Sequence, residues 1–139
     1  MIKTILSLVA AAALCVSCTS VAVVKAPKVD LGRYRRIFVE QPFNENHHVD
    51  EMIADEVRRL GRTASSGPLT MMPDNTDAVI SYNAQWTGDF TTNLTDLSVV
   101  LRTAHTDKRL AEGRYYQPSP RPKSAEYVVR KLIDRLFAQ

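Results

Sequence analysis

The sequence predicts an α+β fold: a two-layer sandwich in which two helices pack on one face of an antiparallel (mixed) sheet of four to five strands. Three observations favour this fold. Apolar and polar residues alternate over Ala78–Thr87 and over Leu97–Ala104, as they do in half-buried strands. Apolar residues recur at helical spacing over residues 49–62 and over Ser124–Phe137. Strands with one apolar face need a helical layer to cover that face.

The chain begins with the features of an export signal. Lys3 precedes an apolar run from Ile5 to Val16 that is interrupted only by Ser7, and Cys18 follows shortly afterwards. The run is shorter than the roughly 18 residues that a membrane-spanning helix needs. A small residue directly before a cysteine resembles the lipobox of bacterial lipoproteins, in which the cysteine receives the lipid. We therefore expect a lipidated, palmitate-bearing Cys18, with an ordinary secretory signal or a retained anchor as the alternatives.

This interpretation divides the chain into a lipoprotein signal peptide (1–17), a lipidated tether (18–29) and a single α+β domain (30–139). Thr19 stands where inner-membrane lipoproteins of enterobacteria carry an aspartate. The expected location is therefore the outer membrane, with the domain facing the periplasm. Cys15 belongs to the signal and Cys18 to the anchor, so the exported domain has no disulfide and is held by packing alone.

The charge balance argues against nucleic-acid binding. Lys3 is the only charged residue of the signal, which leaves 17 basic and 15 acidic side chains in the rest of the chain. The basic residues are spread along the sequence, whereas a nucleic-acid interface concentrates them in a stripe. No motif in the sequence predicts a cofactor.

Strand and helix signals alternate through the first half of the domain. Val21–Val24 can add an edge strand, which Pro27 would end. Tyr34–Glu40 is rich in β-branched and aromatic residues, which favours a strand. In 49–62 the apolar residues share one helix face, acidic residues occupy the first turn and arginines the last, in agreement with the helix dipole.

The second half opens with a break at Ser65–Pro68, after which Leu69–Met72 is a candidate short strand. The alternating segments Ala78–Thr87 and Leu97–Ala104 follow. A hairpin turn at Thr106–Lys108 leads to a partner strand at Arg109–Tyr116. Ser124 is then a suitable N-cap for the last helix.

This order of elements resembles the small α+β lipoproteins of bacterial envelopes that are mostly described as domains of unknown function. The residues that carry the resemblance are Asp30–Val39, Asp77–Tyr82 and the hairpin Leu97–Tyr116 with the helix that follows. The layout is also similar to the group that contains the curli-secretion lipoprotein and the activators of penicillin-binding proteins. The resemblance implies a membrane-tethered, periplasm-facing domain that assists another envelope protein, and it supplies no catalytic residue.

Two groups of residues are candidates for binding a partner. Tyr115 and Tyr116 are neighbours on a strand, so one of them must face outward, and exposed tyrosines are enriched at binding hot spots. Arg33, Arg35 and Arg36 follow the tether and could meet phospholipid headgroups or the phosphates of lipopolysaccharide. Packing at a sheet edge for the tyrosines, and simple solvation for the arginines, are the alternative interpretations.

A weaker candidate is a metal site at the start of the first helix, where His47 and His48 precede Asp50 and Glu51. Adjacent histidines point in different directions and no further histidine follows at helical spacing. The preferred interpretation is therefore that these side chains are solvated at the start of the helix.

His105 and Asp107 could form a general base and its orienting carboxylate. The position at a hairpin end and the lack of a nucleophile motif speak against an envelope hydrolase. We therefore predict a non-enzymatic lipoprotein that acts as an accessory or binding domain for another envelope protein. The alternative is an envelope lipoprotein that binds a small ligand or a metal.

Overall fold

The computed structural model describes residues 19–88, 92–118 and 122–138 of the chain. These residues form six strands and two α-helices. In chain order the elements are β1 (Ser20–Lys25), β2 (Arg36–Glu40), α1 (Val49–Arg59), β3 (Thr63–Gly67), β4 (Ala78–Thr87), β5 (Asn93–Thr103), β6 (Arg109–Tyr116) and α2 (Ala125–Phe137). Short 3-10 turns at Leu31–Arg33 and Leu69–Met71 precede β2 and follow β3.

The six strands form one mixed sheet in the order β1-β6-β5-β4-β2-β3. Neighbouring strands are antiparallel from β1 to β4, while β2 is parallel to both β4 and β3. Strands β2, β3, β4 and β6 therefore share one direction, and β1 and β5 run the opposite way. We call the end of the sheet where β1 begins and β6 finishes the upper end. Ser20, Tyr116, Asp96 and Gln85 form one row across it.

Both helices cover the same face of the sheet. Alternation along the strands sends one set of side chains into the core between sheet and helices, including Ile80, Leu97, Leu101 and Ala111. From α2, the buried residues are Val128, Val129, Leu132, Ile133, Leu136 and Phe137. The α+β two-layer sandwich is thus confirmed. Among the described residues, neither helix has the length and apolar character that crossing a membrane requires.

The opposite face of the sheet is unevenly covered. Phe38 lies between the core residues Ile37 and Val39 on β2 and so points away from the helices, yet it is almost fully buried. Toward β1, on the other hand, this face carries exposed Val24. The part of the sheet made by β1, β6 and β5 therefore leaves one face open, which we call the open face.

The sheet has six strands rather than the predicted four to five, and the difference lies at its edges. The prediction of a break at Ser65–Pro68 and a strand at Leu69–Met72 was wrong: the strand is Thr63–Gly67, and Leu69–Met71 is a 3-10 turn. A short run of alanine, serines and glycine has no strand periodicity. It forms a strand because it pairs in parallel with β2 while Ala64 is buried beneath the helical layer.

The first helix is shorter than predicted because it ends at Arg59. Gly61 follows with φ +91°, a conformation that ends helices and favours glycine. Ala78–Thr87 is a strand with the predicted limits, and the side chain of Ser124 accepts from the amide of Tyr127 as the predicted N-cap of α2. The edge strand that was predicted at Val21–Val24 is present, because β1 pairs along its whole length with β6.

Candidate functional site

A cleft of about 220 Å³ lies beside the loop of residues 41–48, which joins β2 to α1. Asn44 and His48 adopt left-handed conformations at φ +66° and φ +60°, and these turn the chain back toward β4. The loop forms one wall of the cleft and β4 forms the other. The residues that line it are Pro42, Phe43, Asn44, Glu45, Asn46, His47, Asn83, Ala84 and Trp86.

Glu45 fixes the loop to the sheet. Its Oε2 accepts a hydrogen bond from the hydroxyl of Tyr82 at 2.8 Å, and its Oε1 accepts from the backbone amide of His47 at 2.8 Å. The Tyr82 side chain faces the core on β4. Burial, and then the hydrogen bond to Glu45, raise the pKa of Tyr82 well above its ordinary value. The tyrosine is therefore a permanent donor, and the carboxylate is held in place from two sides.

Three aromatic side chains give the cleft its apolar surface. The imidazole of His47 stacks on the indole of Trp86, with ring centroids 3.9 Å apart and planes inclined by 15°. Phe43, at the tip of the loop, is 95% exposed. An exposed aromatic next to amide and carboxylate groups is the kind of surface at which proteins bind partners or ligands.

Two polar atoms of this region are buried without a hydrogen-bond partner in the structure. They are Oδ1 of Asp50, whose residue is 4% exposed, and Nε1 of Trp86. Buried polar groups in proteins are nearly always satisfied by protein, water or ligand. Of these two residues, Trp86 lines the cleft and Asp50 does not, so the indole N–H is the unsatisfied group that belongs to the cleft.

The residues considered for a metal site do not converge. His47 faces Trp86 and lies 3.8 Å from Glu45, whereas His48, with a side chain 68% exposed, lies 3.8 Å from Glu51. Asp50 is buried beneath the helix start. Within the described ranges, no group of three or more histidine, cysteine, aspartate or glutamate residues is arranged to hold a metal ion.

His105 and Asp107 do not form the pair considered for an envelope hydrolase. His105 is exposed, and its Nε2 lies 3.1 Å from the carbonyl oxygen of Asp74. The carboxylate of Asp107 instead pairs with Arg102 at 2.9 Å. The two residues take part in separate contacts that hold the β5–β6 turn to its surroundings.

The two tyrosines of β6 point to opposite faces of the sheet. Tyr115 is 4% exposed and packs in the core under α2, where burial raises its pKa. Tyr116 is 39% exposed on the open face, and the guanidinium of Arg114 lies 5.2 Å from its ring centroid. Of the pair, Tyr116 is therefore the residue whose side chain is accessible at the surface.

Arg33, Arg35 and Arg36 are exposed, but they lie at the lower end of the sheet. The backbone amides of Arg35 and Arg36 both donate to Oδ2 of Asp77, at 2.9 and 2.8 Å. From there to the row of Ser20 and Gln85 the distance along β4 is roughly 25 Å, at about 3.3 Å per residue. Closeness to the tether in sequence does not place the arginines beside Ser20.

A second cluster of charges joins the two helices. Arg59 contacts Glu56 at 2.6 Å and Asp134 at 3.0 Å. The hydrogen bond from Arg59 lowers the pKa of Glu56, whereas burial, followed by the hydrogen bond with Glu56, raises the pKa of Asp134. Because every charge in the cluster has a partner, we interpret it as part of the helix–helix contact.

The sequence singled out His47 and Asp50 as candidates for a metal site and did not predict the cleft. Phe43, Glu45 and Asn83 come together only because the loop after β2 packs against β4. One signal was present in the sequence: a phenylalanine between a proline and an asparagine in an otherwise polar loop. Cys18, the predicted lipidation site, lies outside the described residues.

No family model and no curated protein matches the chain significantly. Several solved structures share its fold. A PelC dodecamer from Paraburkholderia phytofirmans has a TM-score of 0.64 at 14% identity, over 88% of this chain and 99% of that chain. A second crystal form of PelC gives 0.60 at 13% identity, over 86% and 94%. A PDZ domain protein from Parabacteroides distasonis gives 0.56 at 9% identity, over 87% of this chain and 37% of the other. At identities this low, the structural similarity shows a shared fold alone.

Proposed function

We propose that this chain is an outer-membrane-tethered lipoprotein, anchored through Cys18 and facing the periplasm. In this proposal it acts as a non-enzymatic accessory domain that binds another envelope protein. The signal-like start of the sequence supports the anchor. The contact surface is the loop of residues 41–48 with its exposed Phe43, together with Tyr116.

The observation that carries the proposal is the position of this surface relative to Ser20, the first residue of β1. Ser20 shares a row with Tyr116 and with Gln85, the neighbour of Trp86. Three strand spacings of about 4.8 Å separate Ser20 from Gln85. An anchor two residues before Ser20 would therefore hold the exposed aromatics close to the membrane, where other envelope components are found.

The anchor is tested by replacing Cys18 with alanine in the full-length protein. The expected result is an unprocessed precursor that stays in the membrane, or a changed fractionation, because the lipid can no longer be attached. A triacylated cysteine holds firmly, whereas a single chain binds a bilayer only marginally. If the variant is processed and released just as the wild type is, the lipid anchor is refuted.

The accessory role is tested by crosslinking in living cells, followed by mass spectrometry of the proteins joined to the tagged chain. One recurring envelope protein is expected, and its yield should fall with Phe43→Ser. Met71→Ser is the matched control, because Met71 is also an exposed apolar side chain on a short turn but lies outside the cleft. Equal loss in both variants, or in neither, would contradict the assignment of the surface.

The PelC structures are dodecamers, so a second copy of this chain is another candidate partner. Mass spectrometry separates the two cases, because a self-adduct contains peptides of this chain alone.

A second candidate function, the binding of a small polar ligand, is favoured by the unpartnered Nε1 of Trp86, a residue that lines the cleft. Its test is a change in Trp86 fluorescence when compounds are titrated into the purified protein. The chain has a single tryptophan, so the signal reports on this site, and a response that survives Asn83→Ala and Phe43→Ser would argue against it.

A further inference from the structure

The edge strand β1 has a free side whose backbone groups can be assigned residue by residue. The amide of Ala26 donates to the carbonyl of Leu110 at 2.9 Å, so Ala26 is directed toward β6. In an antiparallel pair, successive residues point their N–H and C=O groups alternately toward the partner and away from it. The backbone groups of Ala22 and Val24 therefore face β6, and those of Val21, Val23 and Lys25 face outward.

Across the described part of the chain, no backbone or side-chain group bonds to the outward amides and carbonyls of Val21 and Val23. The other edge of the sheet is different. There, the guanidinium of Arg58 donates through Nε to the carbonyl of Ala64 on β3 at 2.9 Å. Proteins commonly protect exposed edges with charged side chains, because a bare edge is a template for another strand. Strand β3 has such protection, while β1 presents five apolar or small residues followed by one lysine.

The open face next to β1 offers room for side chains. Val24 is 63% exposed there. A hollow of about 280 Å³ is formed mainly by Ala22, Val24, Ser98 and Val100, with the charged side chains of Glu112 and Arg114 beside it. A second hollow of about 220 Å³ continues from Val24 toward the lower end of β1. A strand added to β1 would project every second side chain toward these hollows.

The lower end of this edge is positively charged. Lys25 and Lys28 are exposed, and no carboxylate of the described residues lies within 4 Å of either ammonium group. The Lys25 ammonium donates to the backbone carbonyl of Ala138. An acidic side chain on a bound strand would find a complementary charge at this end and not at the upper end.

We propose that β1 is a docking edge for an extended segment of a partner protein, which adds to the sheet as a seventh strand. The segment has aliphatic residues at alternate positions, which lie beside Val24 on the open face, and an acidic residue against Lys25 and Lys28. Main-chain hydrogen bonds supply affinity and the side-chain hollows supply specificity, as in other strand additions. This inference rests on the proposed function, because it adds a second contact, at the edge of the sheet, for the same envelope partner.

A second copy of this chain fits the edge less well. Antiparallel pairing of two β1 strands would put the two Ser20 residues at opposite ends of the pair, roughly 17 Å apart for six residues. Anchors two residues before each Ser20 could not then enter the same membrane with the strands upright. Pairing of β1 with the β3 of another copy meets Arg58 on the Ala64 carbonyl.

Strand addition is tested with a photocrosslinking amino acid at position 22, on the open face, in the full-length protein in cells. Val23→Pro removes an outward N–H and leaves the bonds to β6 intact, a substitution that edge strands tolerate. Val23→Thr is the matched control, because it keeps the amide. We expect one envelope protein to crosslink at position 22, with a yield that falls at least about tenfold in Val23→Pro, equivalent to 1.4 kcal/mol, and is retained in Val23→Thr.

The proposal is overturned if the adduct is a second copy of this chain, if Val23→Pro leaves its yield unchanged, or if position 22 gives no adduct. Should Val23→Pro lower the melting temperature by more than about 4 °C, Val24→Lys decides instead. That residue is exposed, so the core is unaffected. Loss of the adduct in Val24→Lys supports docking at the edge, and retention refutes it.

The two proposals fail separately. Processing and release of the Cys18→Ala variant as in the wild type would refute the tether. Partner capture that is unchanged in Phe43→Ser would refute the role of the cleft. Neither result depends on the backbone at Val23. Conversely, a partner that needs Phe43 but never crosslinks at position 22 leaves the accessory role in place and refutes the docking edge.

Discussion

The imidazole of His47 lies flat on the indole of Trp86, 3.9 Å away between ring centroids. This contact joins the loop after β2 to the upper part of β4, at a point where the backbone of the loop makes few bonds to the sheet. Glu45 provides the second attachment through Tyr82. The cleft is therefore preformed, and a partner would not have to order the loop when it binds.

Replacing His47 with alanine should destabilise the protein by about 0.5–1.5 kcal/mol, the usual value of an aromatic pair beyond its buried area. Urea unfolding followed by Trp86 fluorescence measures the change. His48→Ala is the control: its side chain is 68% exposed and does not stack on Trp86, so its effect should stay within about 0.5 kcal/mol. Equal effects of the two variants would show that the stacked pair does not hold the loop.

Tyr82→Phe should cost about 1–3 kcal/mol, because Oε2 of Glu45 loses its hydrogen-bond donor in a partly buried place. The same variant should loosen the loop, which hydrogen exchange at the amide of His47 would detect as faster exchange. Tyr34→Phe provides a comparison in which a tyrosine hydroxyl without a side-chain bond to this loop is removed. Similar exchange at His47 in both variants would contradict the role given to Glu45.

Alkaline pH should weaken the fold through the same residue. The pKa of Tyr82 is raised in the folded state, first by burial and then by Glu45, whereas in the unfolded chain it is about 10. Above pH 10 the unfolded state therefore releases a proton that the folded state retains, and stability falls as the pH rises. Urea midpoints between pH 8 and 11 measure this slope, which should be shallower in Tyr82→Phe than in the wild type.

The sequence predicted the parts of the fold that rest on periodicity. The strand Ala78–Thr87 and the helix that Ser124 caps have clean patterns, because each packs one face on a single core. The strand Thr63–Gly67 has no such pattern. It owes its conformation to pairing with β2, an interaction between segments that are distant in sequence, so local signals indicated a break.

The candidate site was less predictable for the same reason. His47 is far in the sequence from Asn83 and Trp86, and it meets them because a left-handed turn at Asn44 folds the loop onto β4. For β6, alternation required that one of Tyr115 and Tyr116 face outward but could not say which one. The register with β5 and β1 settles the choice by placing Tyr115 opposite the core residue Leu97.

Replacing Glu56 with glutamine should change the titration of a neighbour as well as stability. Burial first, and then the hydrogen bond with Glu56, raise the pKa of Asp134. In Glu56→Gln we expect that pKa to fall partway toward its ordinary value, because the contribution of burial remains. A carboxyl-detected NMR titration of Asp134 measures the change, and an unaltered pKa would mean that the two carboxylates are not coupled.

The same variant should also flatten the acid limb of the stability curve. The pKa of Glu56 is lowered in the folded state, mainly by Arg59. Its contribution is therefore present above the unfolded pKa of about 4.3 and is lost as the pH falls below it. The raised pKa of Asp134 has the opposite effect at higher pH, because stability increases as the pH falls from that raised pKa toward the unfolded value of about 3.9. Urea midpoints of wild type and variant should differ at pH 7 and converge toward pH 3.

Gly113 on β6 lies against both α2 and β1. A Cβ at this position would lie 2.9 Å from Cδ1 of Leu132 and 3.2 Å from Cγ2 of Val23, and 3.4 Å from the carbonyl oxygen of Ala22. Gly113→Ala should therefore destabilise the protein by about 1–3 kcal/mol, the usual cost of overpacking a core. Thermal and urea unfolding measure it. Ser98→Ala, on the open face of the neighbouring strand, should change the free energy of unfolding by no more than about 0.5 kcal/mol.

In Gly113→Ala combined with Leu132→Val the clash with Leu132 is relieved, so the double variant should lose less stability than the sum of the single changes. Strict additivity would show that the helix does not restrict this position.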